Sequence, residues 1–89
     1  MQKVKITVTG RVQGVGFRYY CLKLAEELDI KGAVWNNEDG TVTILAQADS
    51  ETLSLFQKKI RKGNQWVKVT YLNIETDNSE NFNDFKIKN

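Results

Sequence analysis

The chain has 89 residues, 40 % of them hydrophobic and 27 % charged. These are the values of one ordinary globular domain, able to bury only roughly 60 % of its unfolded surface, and they exclude a disordered tract. Thirteen basic against eleven acidic side chains leave a formal charge of +2, too little to argue for a nucleic-acid partner and no obstacle to an anionic substrate. Residues 3–9 alternate, with Val4, Ile6 and Val8 on one side and Lys3, Lys5, Thr7 and Thr9 on the other, the period of a half-buried strand. A glycine-bearing segment follows at 10–16. Then Phe17, Tyr20, Cys21, Leu24, Ala25 and Leu28 recur at helical spacing, and Asp29 stands near the helix end.

Gly32 opens a second strand through Asn36, and Asn37-Glu38-Asp39-Gly40 is a hairpin turn by composition. A third strand is expected from Thr41 to Ala48, with Val42, Ile44 and Ala46 facing the core. Asp49 or Ser50 caps a second helix whose buried stripe is Leu53, Phe56 and Ile60; its last turns carry Lys58, Lys59, Arg61 and Lys62 before Gly63, where cations complement the helix dipole. From Trp66 to Glu75 the chain is extended again, but the apolar phase slips between Val69 and Leu72, which predicts a bulge near Thr70 or Tyr71 in an edge strand. Residues 76–83 read as a polar loop, and Phe85 with Ile87 pins a short last strand. The order is β-α-β-β-α-β with a short extra C-terminal strand. It predicts an α+β, ferredoxin-like split βαβ domain over residues 1–89, with two helices on one face of an antiparallel sheet.

The stretch Gly10-Arg11-Val12-Gln13-Gly14-Val15-Gly16-Phe17-Arg18 joins the first strand to the first helix. Glycines there allow left-handed dihedrals, and free amides at a helix start converge with the positive end of the dipole on an anion. Arg18 sits in the first helical turn, where the dipole disfavours a cation by about 0.3–1 kcal/mol; a bound phosphate would satisfy both the guanidinium and the amides. Plain turn chemistry and an arginine directed into water explain the same residues without a ligand. The segment is neither a Walker loop nor a dinucleotide fingerprint.

The run Val12-Gln13-Gly14-Val15-Gly16-Phe17-Arg18 resembles the signature loop of the acylphosphatases, and Gly32-Ala33-Val34-Trp35-Asn36-Asn37-Glu38-Asp39-Gly40-Thr41-Val42 is similar to that family's second segment. The resemblance covers essentially the whole chain. It implies a ferredoxin-like fold and hydrolysis of the carboxyl-phosphate bond of acyl phosphates of the acetyl, benzoyl, carbamoyl or 1,3-bisphosphoglycerate type, with no cofactor and no metal. It further implies Arg18 as catalytic arginine, Asn36 as the residue that orients water, and the backbone amides of Gly14, Val15, Gly16, Phe17 and Arg18 as the phosphate cradle. Ala33, Trp35, Asp29 and Asn64 depart from the family's usual residues, and none of them is Arg18 or Asn36.

Histidine is absent, which removes the commonest general base and most zinc sites. A carboxylate leaves an acyl phosphate unprotonated, so that absence is compatible with the implied reaction. Cys21 follows Arg18 instead of preceding it as in a cysteine phosphatase loop, and it falls on the apolar helix stripe, so an inert core thiol is expected. With a single cysteine, no membrane-length apolar run and no secretory signal, a cytoplasmic monomer acting on a small molecule is expected, without a nucleic-acid or membrane partner. Two other readings stay open. One is a non-catalytic ferredoxin-like module binding an anion or RNA; the other is an accessory carbamoyl-phosphate domain.

Overall fold

In the computed structural model, which describes residues 1–79 and 81–88, the elements run β1 Gln2–Arg11, α1 Phe17–Leu28, β2 Lys31–Asn36, β3 Val42–Ala48, α2 Ser50–Lys62, β4 Lys68–Thr76 and β5 Phe85–Ile87. The five strands form one sheet in the order β4-β1-β3-β2-β5. β1, β2, β3 and β4 pair antiparallel, whereas β5 runs parallel to β2, with Val34 opposite Ile87. A crossover is required for a parallel neighbour, and the connection from β4 at one edge to β5 at the other supplies it. The ferredoxin-like plan is as expected; the parallel last pair is the feature that strand order alone did not reveal.

Alternation along each strand becomes rows across the sheet. One inward row is Ile74, Ile6, Ile44, Val34 and Ile87, and the next is Leu72, Val8, Val42 and Asn36. Ile6, Val8, Val34, Val42 and Ile44 are fully buried beneath the helices. α1 lies against β2 and β5, α2 against β3 and β4, and the helices touch each other. Phe17, Cys21, Leu24 and Ala25 of α1 and Leu53, Phe56 and Ile60 of α2 fill the layer between; each buried phenylalanine contributes about 1.5–3 kcal/mol by area removed from water.

The ends of the elements follow from side-chain chemistry. Asp49 is the N-cap of α2 and accepts the Thr52 amide at 2.8 Å. Asp29 closes α1 in the left-handed region (φ 56), and the Ile30 amide then reaches the Ala25 carbonyl at 2.8 Å, so aspartate serves where glycine is commoner. The bulge is where the phase slip placed it, because Thr9 opposes Tyr71 and Gly10 opposes Val69, leaving Thr70 as the extra residue. Two strands start later than expected. β4 begins at Lys68 and not at Trp66, because the Asn64 side chain accepts the amides of Trp66 (2.8 Å) and Val67 (3.1 Å) and holds them in a turn. β3 begins at Val42 and not at Thr41, because the Asp39 carboxylate accepts both the amide and the hydroxyl of Thr41.

Candidate active site

β1 leaves the sheet at the end where Asn36 and Val42 also stand. Near the end of its pairing with β4, Gly10 lies so close to that strand that a Cβ there would collide with the Lys68 carbonyl oxygen. Beyond it Val12 is buried as an anchor, and at Gly14 and Gly16 the chain turns with φ of 73 and 79. Val15 between them is not left-handed, and Phe17 begins the helix. Such an alternation of φ sign turns successive amides toward one side and forms an anion-binding nest.

These amides are free. Among the described residues, none of the N–H groups of residues 14–19 donates to a protein acceptor; the first amide of the region with a partner is that of Tyr20, bonded to the Gly16 carbonyl at 3.0 Å. The N-cap is Gly16, without a side-chain cap, and no acidic residue occupies the first turn. The positive end of α1 is thus left uncompensated, and Arg18, half-buried and without an ion pair among the described residues, adds to it. Phe17, buried beneath the nest, and the Tyr20 hydroxyl, which donates to the Lys59 carbonyl at 2.8 Å on α2, hold this first turn in place.

Above the nest lies an open hollow of about 210 Å³ lined by Val12, Gly14, Gly16, Phe17, Arg18, Tyr19 and Ile87. Of the residues expected at the site, Gly14, Gly16, Phe17 and Arg18 line it and Val15 and Asn36 do not. Asn36 stands at the end of the inward row otherwise made of Leu72, Val8 and Val42. Its Oδ1 is buried without a hydrogen-bond partner among the described residues. An acceptor left in that state costs about 1–3 kcal/mol, and it is the kind of group that a bound water would satisfy.

Gln13 connects the two halves. Its Nε2 donates to the Asn37 carbonyl at 2.7 Å and to the Thr41 carbonyl at 2.8 Å, tying the nest to the β2–β3 turn. The Asn37 side chain is spent within that turn on the hydroxyls of Thr41 and Thr43, so Asn37 is the turn residue the sequence suggested. The Cys21 thiol is buried, and burial pushes its pKa far above the usual thiol range, which removes it as a nucleophile. Among the described residues no group of three or more His, Cys, Asp or Glu side chains converges as a metal site would require, and no helix is long and apolar enough to cross a membrane.

Sequence reasoning missed Val12, Gln13, Tyr19 and Ile87. Val12 and Tyr19 flank the glycines and could have been included. Ile87 could not, since it reaches the hollow only through the parallel pairing of β5 with β2.

The acylphosphatase family profile matches residues 4–87. An acylphosphatase of Lactococcus lactis is 48 % identical over 96 residues, covering 99 % of both chains. The crystal structure of acylphosphatase from Bacillus subtilis superposes with a TM-score of 0.94 at 37 % identity over 100 % of each chain. A crystal structure of full-length HypF, in a phosphate- and nucleotide-bound form, has a TM-score of 0.91 at 26 % identity, the match covering 99 % of this chain and 12 % of that one.

Proposed function

Since the chain belongs to the acylphosphatase family and is an enzyme that hydrolyses acyl phosphates, we propose that it does so by gripping the phosphoryl group on the amides of residues 14–18 and on Arg18 while Asn36 orients the attacking water. The observation that carries the reading is the run of amides at the start of α1 with a guanidinium in the same turn and, among the described residues, no partner for the amides and no carboxylate paired with the guanidinium. Phosphoryl transfer through a loose transition state is mostly positioning and charge compensation, and these groups supply both.

Arg18 offers a planar fork to two phosphoryl oxygens. Asn36 does not titrate near neutrality and is no base, but its carbonyl accepts and its NH₂ donates, which suffices to orient a water. The leaving carboxylate is a weak base and departs without a proton. The water's proton passes to the substrate's phosphate or to solvent, so neither histidine nor a metal has a task. The enzyme acts as a cytoplasmic monomer on a small acyl phosphate, without nucleic acid.

The test is hydrolysis of acetyl and benzoyl phosphate in the presence of EDTA, with phosphate monoesters left nearly untouched. Arg18→Ala lowers kcat/KM by about 10²–10³ and weakens inhibition by inorganic phosphate, and Arg18→Lys restores only part of it. Turnover that disappears on chelation would overturn the metal-free mechanism.

A further inference from the structure

The hollow above the nest is larger than its phosphate end requires. Gly14, Gly16 and Arg18 form a polar end, while Val12, Phe17, Tyr19 and Ile87 form an apolar side that a tetrahedral anion alone would leave unused. Its volume is about 210 Å³.

Three of these apolar residues have structural employment. Val12 and Phe17 are buried in the core, and Ile87 is partly buried against it through the pairing of β5 with β2. Tyr19 has none: its side chain makes no hydrogen bond to a described residue, it lies outside the buried stripe of α1, it is 60 % exposed, and it is among the residues lining the hollow. A large aromatic ring kept in water beside an anion cradle is placed as a ligand-facing wall.

The direction of the reaction selects what the wall would meet. In-line displacement sets the attacking water and the leaving carboxylate on opposite sides of phosphorus. Asn36, assigned above to the water, does not line this hollow, whereas Tyr19 and Ile87 do. An acyl group leaving the nest through the hollow would meet Tyr19.

We infer that Tyr19, with Ile87 beside it, forms the acyl-group subsite and makes the enzyme select planar, apolar acyl phosphates over small polar ones. The inference rests on the acylphosphatase reading above and deepens it by naming the substrate class. Tyr19 is exposed, so its substitution spares the core.

The experiment measures kcat/KM for benzoyl, acetyl and carbamoyl phosphate in the unmodified protein, Tyr19→Ala and Tyr19→Phe. The unmodified protein is expected to favour benzoyl phosphate, Tyr19→Ala to lower the benzoyl-to-acetyl ratio by about tenfold, and Tyr19→Phe to keep it, because the ring and not the hydroxyl makes the wall. A ratio that stays constant in Tyr19→Ala, or one that falls equally in Tyr19→Phe, overturns the inference and leaves acyl phosphate hydrolysis intact. Absence of turnover of all three substrates by the unmodified protein overturns the underlying reading and the inference with it.

Discussion

The amide nitrogen of Gln13 donates both of its hydrogens across the end of the sheet, to the carbonyls of Asn37 (2.7 Å) and Thr41 (2.8 Å). It is the side-chain bond that fixes the loop carrying the free amides relative to the turn that follows Asn36. Gln13→Ala removes one donor from each carbonyl, which keep the amides of Gly40 (3.3 Å) and Asn37 (2.8 Å) respectively, and is expected to cost about 1 kcal/mol, or roughly 4–8 °C in Tm. The expected loss in kcat is about ten- to a hundredfold, since small displacements of positioning groups are expensive. Gln13→Glu, which cannot donate and sets a carboxylate against two carbonyls, is expected to be worse in both respects. Thermal melts and steady-state kinetics on the two variants check this.

Asn36 presents a conflict between stability and activity. Its buried Oδ1, without a partner among the described residues, is a cost in the resting enzyme. Asn36→Leu extends the apolar row of Leu72, Val8 and Val42, so it is expected to raise stability by about 1 kcal/mol while lowering kcat by roughly 10²-fold with KM little altered. If kcat survives the substitution, the water-orienting role is wrong.

The glycines separate into two kinds. At Gly32 a Cβ would lie 1.8 Å from the Leu45 carbonyl oxygen in the middle of the sheet, so Gly32→Ala is expected to prevent normal pairing of β2 with β3. At Gly14 and Gly16 a Cβ meets nothing within 4 Å, and the obstacle is φ alone, at 73 and 79. Gly14→Ala and Gly16→Ala are therefore expected to fold, to lose about 1–2 kcal/mol for a left-handed residue, and to weaken phosphate binding as the nest relaxes. Circular dichroism and phosphate titration distinguish the two classes.

Two surface aspartates are expected to contribute to acid stability. The Thr41 hydroxyl and amide hold the Asp39 carboxyl below its ordinary range, and the Thr52 amide does the same for Asp49. A carboxylate whose folded pKa is depressed stabilises the fold above its unfolded pKa, about 3.9 for aspartate. That contribution is lost as pH falls through the lower folded value. Stability is expected to fall below about pH 4, and the double variant Asp39→Asn/Asp49→Asn to show a shallower decline. Urea midpoints measured between pH 2 and 6 read the difference; parallel curves would show that other groups govern acid unfolding.

Local chemistry was legible in the chain because its causes are local. Alternation in β1, the helical stripes, the Asp49 cap and the bulge at Thr70 all follow from neighbours a few residues away. The loop of glycines with Arg18 could be read as an anion site for the same reason, since a helix start and its amides are properties of one segment. Tertiary structure alone decided how the segments meet. The parallel seat of β5 beside β2 carries Ile87 to the hollow, and Gln13 finds carbonyls 24 and 28 residues away. Asn36 closes an otherwise apolar row, its oxygen unpaired among the described residues. Those relationships depend on the closure of long loops around a shared core, whose free energy belongs to the packed whole and to no single stretch of sequence.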